Sequence, residues 1–494
     1  MPLIKGWFAP IVCALLMALS APAFAQEAET PDTATQTTNG GSDTADADGD
    51  EETEAAVDLA KQIGQLQKDV TVAKRAGDNA WMMTSCALVL FMTVPGLAMF
   101  YGGLVRKKNV MSVMMQCIFL MGLMTVVWGL WGYSLSFGGA NPYIGNGEFM
   151  LMNGVSSTLS ADKTEIVVPQ AGDVPRFTHM TFQGMFFIIT PALICGAFAE
   201  RMKFSAMAIF CVLWGTFVYC PLCHWVWGGG ILAHPGGWAG GALDFAGGTV
   251  VHISSGVSAL VAAILIGKRL GFGSEPMPPH NLAFTTLGAG MLWVGWFGFN
   301  AGSAVNASDG AASAFVVTHF SAAAGAVAWP LMEWITRGKP SVLGAASGAV
   351  AGLVCITPAA GYVAPMPAFI MGAAAGVVCF YGCTTLKSKL GYDDSLDAFG
   401  VHGLGGTLGA VLTGVFATCQ VAESNKGADG IIQPLGLIDG AGVSLLIGQV
   451  VAVLVTWVFA AVVSFVLLKI IDVTIGLRAS QEEETQGLDL TQHG

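Results

Sequence analysis

The chain has 494 residues, of which 54% are hydrophobic and only 11% are charged. Ordinary soluble domains run near ~25% charged, so this composition excludes a soluble globular protein and points to a polytopic membrane protein in a lipid bilayer. The net charge of -12 gathers in an acidic segment near the N-terminus and in the C-terminal tail, and it indicates no particular partner.

Residues 1–25 read as a cleaved signal peptide: Lys5 is the positive start, Trp7 to Ala21 the apolar core, and Ala23-Phe-Ala25 the small-residue cleavage site. Residues 26–78 form an acidic, mostly disordered extension, since 26–54 holds almost no large apolar side chain. A short amphipathic helix over 55–76, ended by Gly77 and Asp78, interrupts that extension.

From residue 79 to 471 long apolar runs alternate with short turns, and this stretch reads as the membrane domain. Spans are expected at about 79–104, 110–137, 177–199, 204–226, 248–267, 281–301, 311–336, 342–359, 365–386, 398–418 and 440–471, each matched to a ~30 Å hydrocarbon core. The fold is thus all-α with eleven transmembrane helices, the last long enough to require tilt. Glycine, at 65 residues, suits close helix approach in lipid. The tail over 472–494 follows.

Connections after odd-numbered spans carry Arg106, Lys107, Lys108, Arg201, Lys203, Lys268, Arg269, Arg337, Lys339, Lys387 and Lys389. Those after even-numbered spans carry only Lys163, Arg176 and Lys426. The positive-inside rule therefore places the mature N-terminus outside and the C-terminus inside the cell's inner membrane. An odd span count suits an inverted five-helix repeat plus one extra helix, and Phe100-Tyr-Gly-Gly103 and Phe299-Asn-Ala-Gly302 echo each other at the ends of spans one and six.

Two stretches stand out within this frame. Asp244-Phe-Ala-Gly-Gly-Thr-Val-Val-His252 leads into span five and Asp397-Ala-Phe-Gly-Val-His402 into span ten, each with a Gly four residues after its His. An ionisable ring inside a span is costly, and two in matching contexts suggest a shared path between repeats. Asp244 reads first as a helix cap, with a charge that also favours a nearby cation. Phe182 and Phe186 lie one turn apart on span three, as Trp296 and Phe299 do on span six. Such rings ordinarily face lipid or core, yet clustered with Trp225, Trp227 and the Ser303 hydroxyl at an outer mouth they suit a small cation.

Enzyme signatures are missing: there is no metal-spaced His/Glu cluster, phosphate loop or Gly-x-Ser-x-Gly. The eleven cysteines mostly sit in apolar runs and read as small buried hydrophobes. Cys220-Pro-Leu-Cys223-His224 matches a haem-attachment spacing, but it ends a hydrophobic segment with no soluble haem domain around it. No enzyme activity, cofactor, metal or nucleic-acid partner is expected.

Phe100-Tyr-Gly-Gly-Leu-Val-Arg-Lys-Lys-Asn109, Ala199-Glu-Arg201, Gly295-Trp-Phe-Gly-Phe-Asn-Ala-Gly-Ser303 and Phe399-Gly-Val-His402-Gly403, with the Asp244–His252 stretch, make residues 79–494 resemble the Amt/Mep/Rh ammonium transporters, on the bacterial Amt side. The resemblance implies a homotrimer with one pore per subunit that carries ammonium or methylammonium. By resemblance Phe186, Trp227 and Ser303 form an outer cation site with Asp244 nearby. Phe186 and Phe299 form a gate flanked by Phe182 and Trp296, and His252 and His402 line the lumen. The tail pieces Asp472-Val-Thr-Ile-Gly-Leu-Arg478 and Gly487-Leu-Asp489 resemble a family tail on which a PII-type signal protein docks. An ammonium sensor is the rival reading; such receptors often add a cytoplasmic signalling domain, whereas a short tail favours transport. The chain departs from the family in its N-terminal extension, a longer connection between spans two and three, and Cys220 and Cys223.

A reporter fused after Gly494 should be active only if it works in the cytoplasm; activity from a periplasm-only reporter would overturn the eleven-span topology.

Overall fold

The computed structural model describes residues 48–421 and 431–493, with side chains from residue 56. The expected signal peptide and residues 26–47 lie outside the described residues. The chain divides into two compact units, Met1–Leu66 and Gln67–Gly494. The first is helical wherever it is described, with Val57, Leu59, Ile63 and Leu66 exposed.

The helix expected over 55–76 is present but longer at both ends. Helix runs from Asp48 to Phe91 and does not stop at Gly77 and Asp78. Alanine, leucine, lysine and glutamine dominate residues 55–76, and a lone glycine in such a run costs only about 1 kcal/mol. Asp78 caps nothing at that point: its carboxylate accepts from Lys74 Nζ at 2.9 Å and from Ala307 N at 2.8 Å.

Among the described residues ten helices are long and apolar enough to cross a membrane. They are α1 (Ala56–Leu104), α2 (Lys107–Phe137), α3 (Arg176–Phe198), α4 (Phe204–Val226), α5 (Gly248–Ile266), α6 (Leu282–Ala304), α7 (Asp309–Arg337), α9 (Pro365–Leu390), α10 (Phe399–Phe416) and α11 (Ser444–Thr474). The segment expected as span eight is a shorter helix, α8 (Val342–Ile356), of 15 residues. It stops short because Thr357 to Val363 turn back as buried non-helical backbone.

Pro95 breaks the hydrogen-bond ladder of α1 at a π-helical turn over Met92–Leu97. The connection between α2 and α3 contains two two-residue β pairs, Thr158–Leu159 with Ile166–Val167 and Gln170–Ala171 with Val174–Pro175. Arg176 covers the Phe149 ring at 4.5 Å where that connection rejoins α3. The 31 residues of α11 make about 46 Å of helix, longer than a ~30 Å core.

The odd-numbered connections meet at one basic end. There Glu200 pairs with Arg106 at 2.8 Å and Arg269 at 3.2 Å, and Arg269 pairs with Asp393 at 2.8 Å. Arg201, fully buried, donates to Gly267 O at 2.9 Å and to Ser395 Oγ at 2.6 Å. A buried charge persists only when paired and hydrogen-bonded in this way. The tail packs on the same end through α12 (Gln481–Gln486) and α13 (Leu488–His493). Asn109 Oδ1 accepts from Leu488 N at 2.9 Å, and Asp489 Oδ1 accepts from Ser112 N at 2.7 Å.

Helices α7, α8 and α9 touch through glycine. A Cβ on Gly372 would come within 2.0 Å of Ser321 O, and one on Gly325 within 2.2 Å of Gly348 O. Lipid supplies no hydrophobic drive between helices, so close backbone approach carries this association. Gly372→Ala should therefore lower the stability of the detergent-purified protein by about 1–3 kcal/mol, read as a lower unfolding midpoint. Gly290→Ala, with nothing within 4 Å of the new methyl group, should be neutral or slightly stabilising.

Candidate transport pore

Helices α5 and α10 each begin with a π-helical turn, Gly248–Ile253 and Phe399–Gly403, and each turn carries one histidine. The two rings lie side by side, centroids 5.3 Å apart and 17° from parallel, with His402 Nδ1 and His252 Nδ1 at 3.2 Å. One Nδ1 donates and the other accepts. Such closeness needs the helices to cross tightly. A Cβ on Gly256 would come within 2.1 Å of Gly403 N, and one on Gly406 within 2.9 Å of His252 Cβ. These are the glycines that follow each histidine by four residues, one turn along the same face.

A continuous run of rings leads away from the pair. His252 stacks on Trp296 at 5.4 Å, and Trp296 meets Phe299 at 5.3 Å. Phe299 meets Phe186 at 4.3 Å, and Phe186 meets both Phe182 at 5.1 Å and Trp227 at 5.9 Å. Trp296 Nε1 donates to Thr357 Oγ1 at 2.9 Å, which fixes that ring. Phe182, Phe186, Trp296 and Phe299 are buried, whereas Trp227 is partly exposed. Ser303 Oγ donates to Phe299 O at 2.8 Å, leaving its lone pairs as acceptors.

Asp244 reaches this run indirectly. Its carboxylate accepts from Gly247 N at 2.8 Å, Thr249 N at 2.8 Å and Val250 N at 3.3 Å, and also from Gly248 N and Thr249 Oγ1. Gly247, at φ 111, supplies the left-handed turn that wraps these N–H groups round the carboxylate. Trp227 Nε1 donates to Asp244 O at 2.7 Å, so the cap also holds the tryptophan.

Below Phe299 a cavity of about 10 Å³ is lined by Met92, Leu193, Leu292, Val350 and the two histidines. That is room for about one water-sized molecule. His252 Nε2 has no partner among the described residues. Past His402 opens a larger cavity of about 290 Å³ at the basic end, where Arg269, Glu333, Arg337, Lys387 and Asp397 line it. Cys220, Cys223 and His224 stand apart from the rings, fully buried. His224 Nδ1 lies 3.0 Å from Ser136 O and its Nε2 bonds Asn141 O, so this side chain pins the end of α2.

One residue escaped the sequence reading. Asp394 precedes His402 by eight residues, as Asp244 precedes His252. Its Oδ2 accepts from Phe399 N at 2.8 Å, capping α10 as Asp244 caps α5. Burial pushes this carboxyl up to about 6, opposed by Lys387 and assisted by Asp397. The equal Asp-to-His spacing was the available signal; the nearer Asp397 obscured it.

The model of the Ammonium Transporter Family matches residues 80–494. The chain belongs to this family. An ammonium transporter of Bacillus subtilis is 48% identical over 421 residues, covering 85% of this chain and 97% of that protein. One from Aquifex aeolicus is 44% identical, covering 85% and 92%. The crystal structure of Candida albicans Mep2 superposes with a TM-score of 0.72 at 34% identity, over 83% of this chain and 87% of Mep2. A structure titled Sensor Amt Protein gives a TM-score of 0.75 at 25% identity, over 85% and 99%. The relatives are named as transporters, which makes this ammonium transporter family chain a transport protein and not an enzyme.

Removing the Asp244 carboxylate strands a buried ring of N–H donors. Asp244→Ala should cost about 1–3 kcal/mol, read as a lower thermal midpoint, with Asp244→Asn in between because one acceptor oxygen remains. An unchanged midpoint in Asp244→Ala would show that the cap carries no weight.

Proposed function

We propose that this chain carries ammonium, or its analogue methylammonium, across the cytoplasmic membrane through a pore in each subunit. Family membership and the transporter names of its relatives support the substrate. The observation that carries the mechanism is the hydrogen-bonded histidine pair at the end of an aromatic run, beside a cavity of about 10 Å³.

Ring faces attract a cation by about 0.5–2 kcal/mol each. Trp227 and Phe186 offer two faces, and the Ser303 lone pairs add an acceptor. Asp244 acts here as a positioning residue, because its carboxylate is turned to backbone donors and its carbonyl holds the Trp227 indole. The Phe186–Phe299 contact closes the path, with Phe182 and Trp296 buttressing it. A bare cation in the apolar cavity beyond would lose its hydration shell without replacement. The ion therefore gives up its proton to solvent water at the outer mouth before passing the gate, and the neutral molecule moves along the histidines and takes up a proton from water on the far side. His252 Nε2 offers it a hydrogen-bond partner in an otherwise apolar wall. The larger polar cavity past His402 receives it and allows rehydration. Two imidazolium rings would set donor against donor, whereas a neutral pair satisfies the single hydrogen bond between them and passes a neutral guest.

We further propose a homotrimer with its basic end in the cytoplasm. The packed tail would there present α12 and α13 to a PII-type signal protein. The likeness to the Sensor Amt Protein is the observation on the side of a sensing role.

The histidines act as one unit in this reading. His252→Ala and His402→Ala should each abolish selective ammonium conduction, and the double variant should be little worse than either. A double-mutant cycle on methylammonium uptake, with assembly checked on every variant, should give a coupling of about 0.5–3 kcal/mol. Full additivity would overturn the shared-lumen mechanism.

A further inference from the structure

The family match begins at residue 80, yet the helix that enters α1 begins at Asp48. The added stretch carries its own pattern. Ala56, Leu59, Ile63, Leu66, Val70 and Ala73 recur at alternating steps of three and four. That is the 3.5-residue period of a coiled-coil seam, which a helix lying on a globular core does not keep. The seam faces outward: Leu59 is 57% exposed, Ile63 47%, Leu66 64% and Val70 60%. Scattered exposed leucines are ordinary, but four large apolar side chains in one stripe mark a contact surface.

The residue types are also those of a seam. Ile63 and Val70 occupy the a positions and Leu59 and Leu66 the d positions, the choice that parallel coiled coils make. On the flanks Asp69 falls at g and Lys74 at the following e. Lys74 pairs within its own chain, with Asp78 and Asp173 at 2.9 Å each, so the apolar layers carry the pairing. Lys61 and Lys68 fall at f, on the far side.

Geometry supplies the direction and chain identity the register. Copies inserted in one membrane share an orientation, so their helices leave it on the same side and run parallel. Identical seams on identical chains match best in register, where Ile63 and Val70 meet their own counterparts and Leu59 and Leu66 theirs.

We propose that this helix zips onto the same helix in other copies of this chain, as a parallel, in-register coiled coil through Leu59, Ile63, Leu66 and Val70. The proposal rests on the homotrimer reading only in that copies must lie side by side.

The test uses the full chain in native membranes with single cysteines at seam positions, Leu59→Cys and Leu66→Cys, and at outward positions, Lys61→Cys and Lys68→Cys. Wild type controls for the native cysteines. Under mild oxidation the seam variants should give disulfide-linked pairs of this chain on non-reducing gels, and the outward variants only the wild-type background. Adding Ile63→Ser and Val70→Ser to Leu66→Cys should abolish the linked band while methylammonium uptake persists. Equal linkage at seam and outward positions would overturn the proposal, as would linkage to a different protein. The native mass of the purified wild type reads assembly separately. Several copies without a seam cross-link would overturn the coiled coil and leave the assembly reading standing.

Discussion

The hydrogen bond between His252 and His402 sets the terms for the rest of the molecule. Two polar rings inside an apolar wall need a partner, and each is the other's. Bringing their Nδ1 atoms to 3.2 Å requires α5 and α10 to cross almost backbone to backbone. Gly256 and Gly406 make that crossing possible, since a methyl group on either would overlap the opposite helix. The glycine that follows each histidine by four residues is therefore a packing requirement of the pair.

Holding two such helices fixed at their ends calls for strong local bonds. Asp244 and Asp394 serve that end from opposite helices, each spending its carboxylate on the first turn of a histidine helix. Around Asp394 the basic end is tied by Arg201, Glu200, Arg269 and Asp393, whose bonds link α3, α5 and the connection into α10. Of this cluster Arg269 also lines the larger cavity, as does Ser395, to which Arg201 donates.

Hydropathy, basic connections and the repeated Val-His pattern made the helical membrane fold and its paired histidines legible in the sequence. The aromatic run was legible too, because Phe182–Phe186 and Trp296–Phe299 each sit at one helical turn. What stayed hidden depends on contacts between distant residues. Trp227 bonding the Asp244 carbonyl, Thr357 holding Trp296, and Gly372 meeting Ser321 leave no periodic trace. The continuity of the helix through Gly77 was missed for another reason: Gly77 and Asp78 suggested a stop between the helix over 55–76 and the first span, while the helix-forming residues on either side carried it through.

Helix α8 has a consequence for how the pore meets its solvent. At 15 residues it makes about 22 Å, too short for a ~30 Å core. The gap is filled by Thr357 to Val363, non-helical backbone buried in protein, where Phe245 N donates to Pro358 O at 3.0 Å and the Phe245 ring packs on Tyr362 at 5.6 Å. Irregular backbone is tolerated at membrane depth only when protein shields it from lipid. The wall that supports Trp296 is thus solvated by the protein itself. A thinner or thicker bilayer would be met by tilting of long outer helices such as α11, while the rings of the lumen keep their spacing.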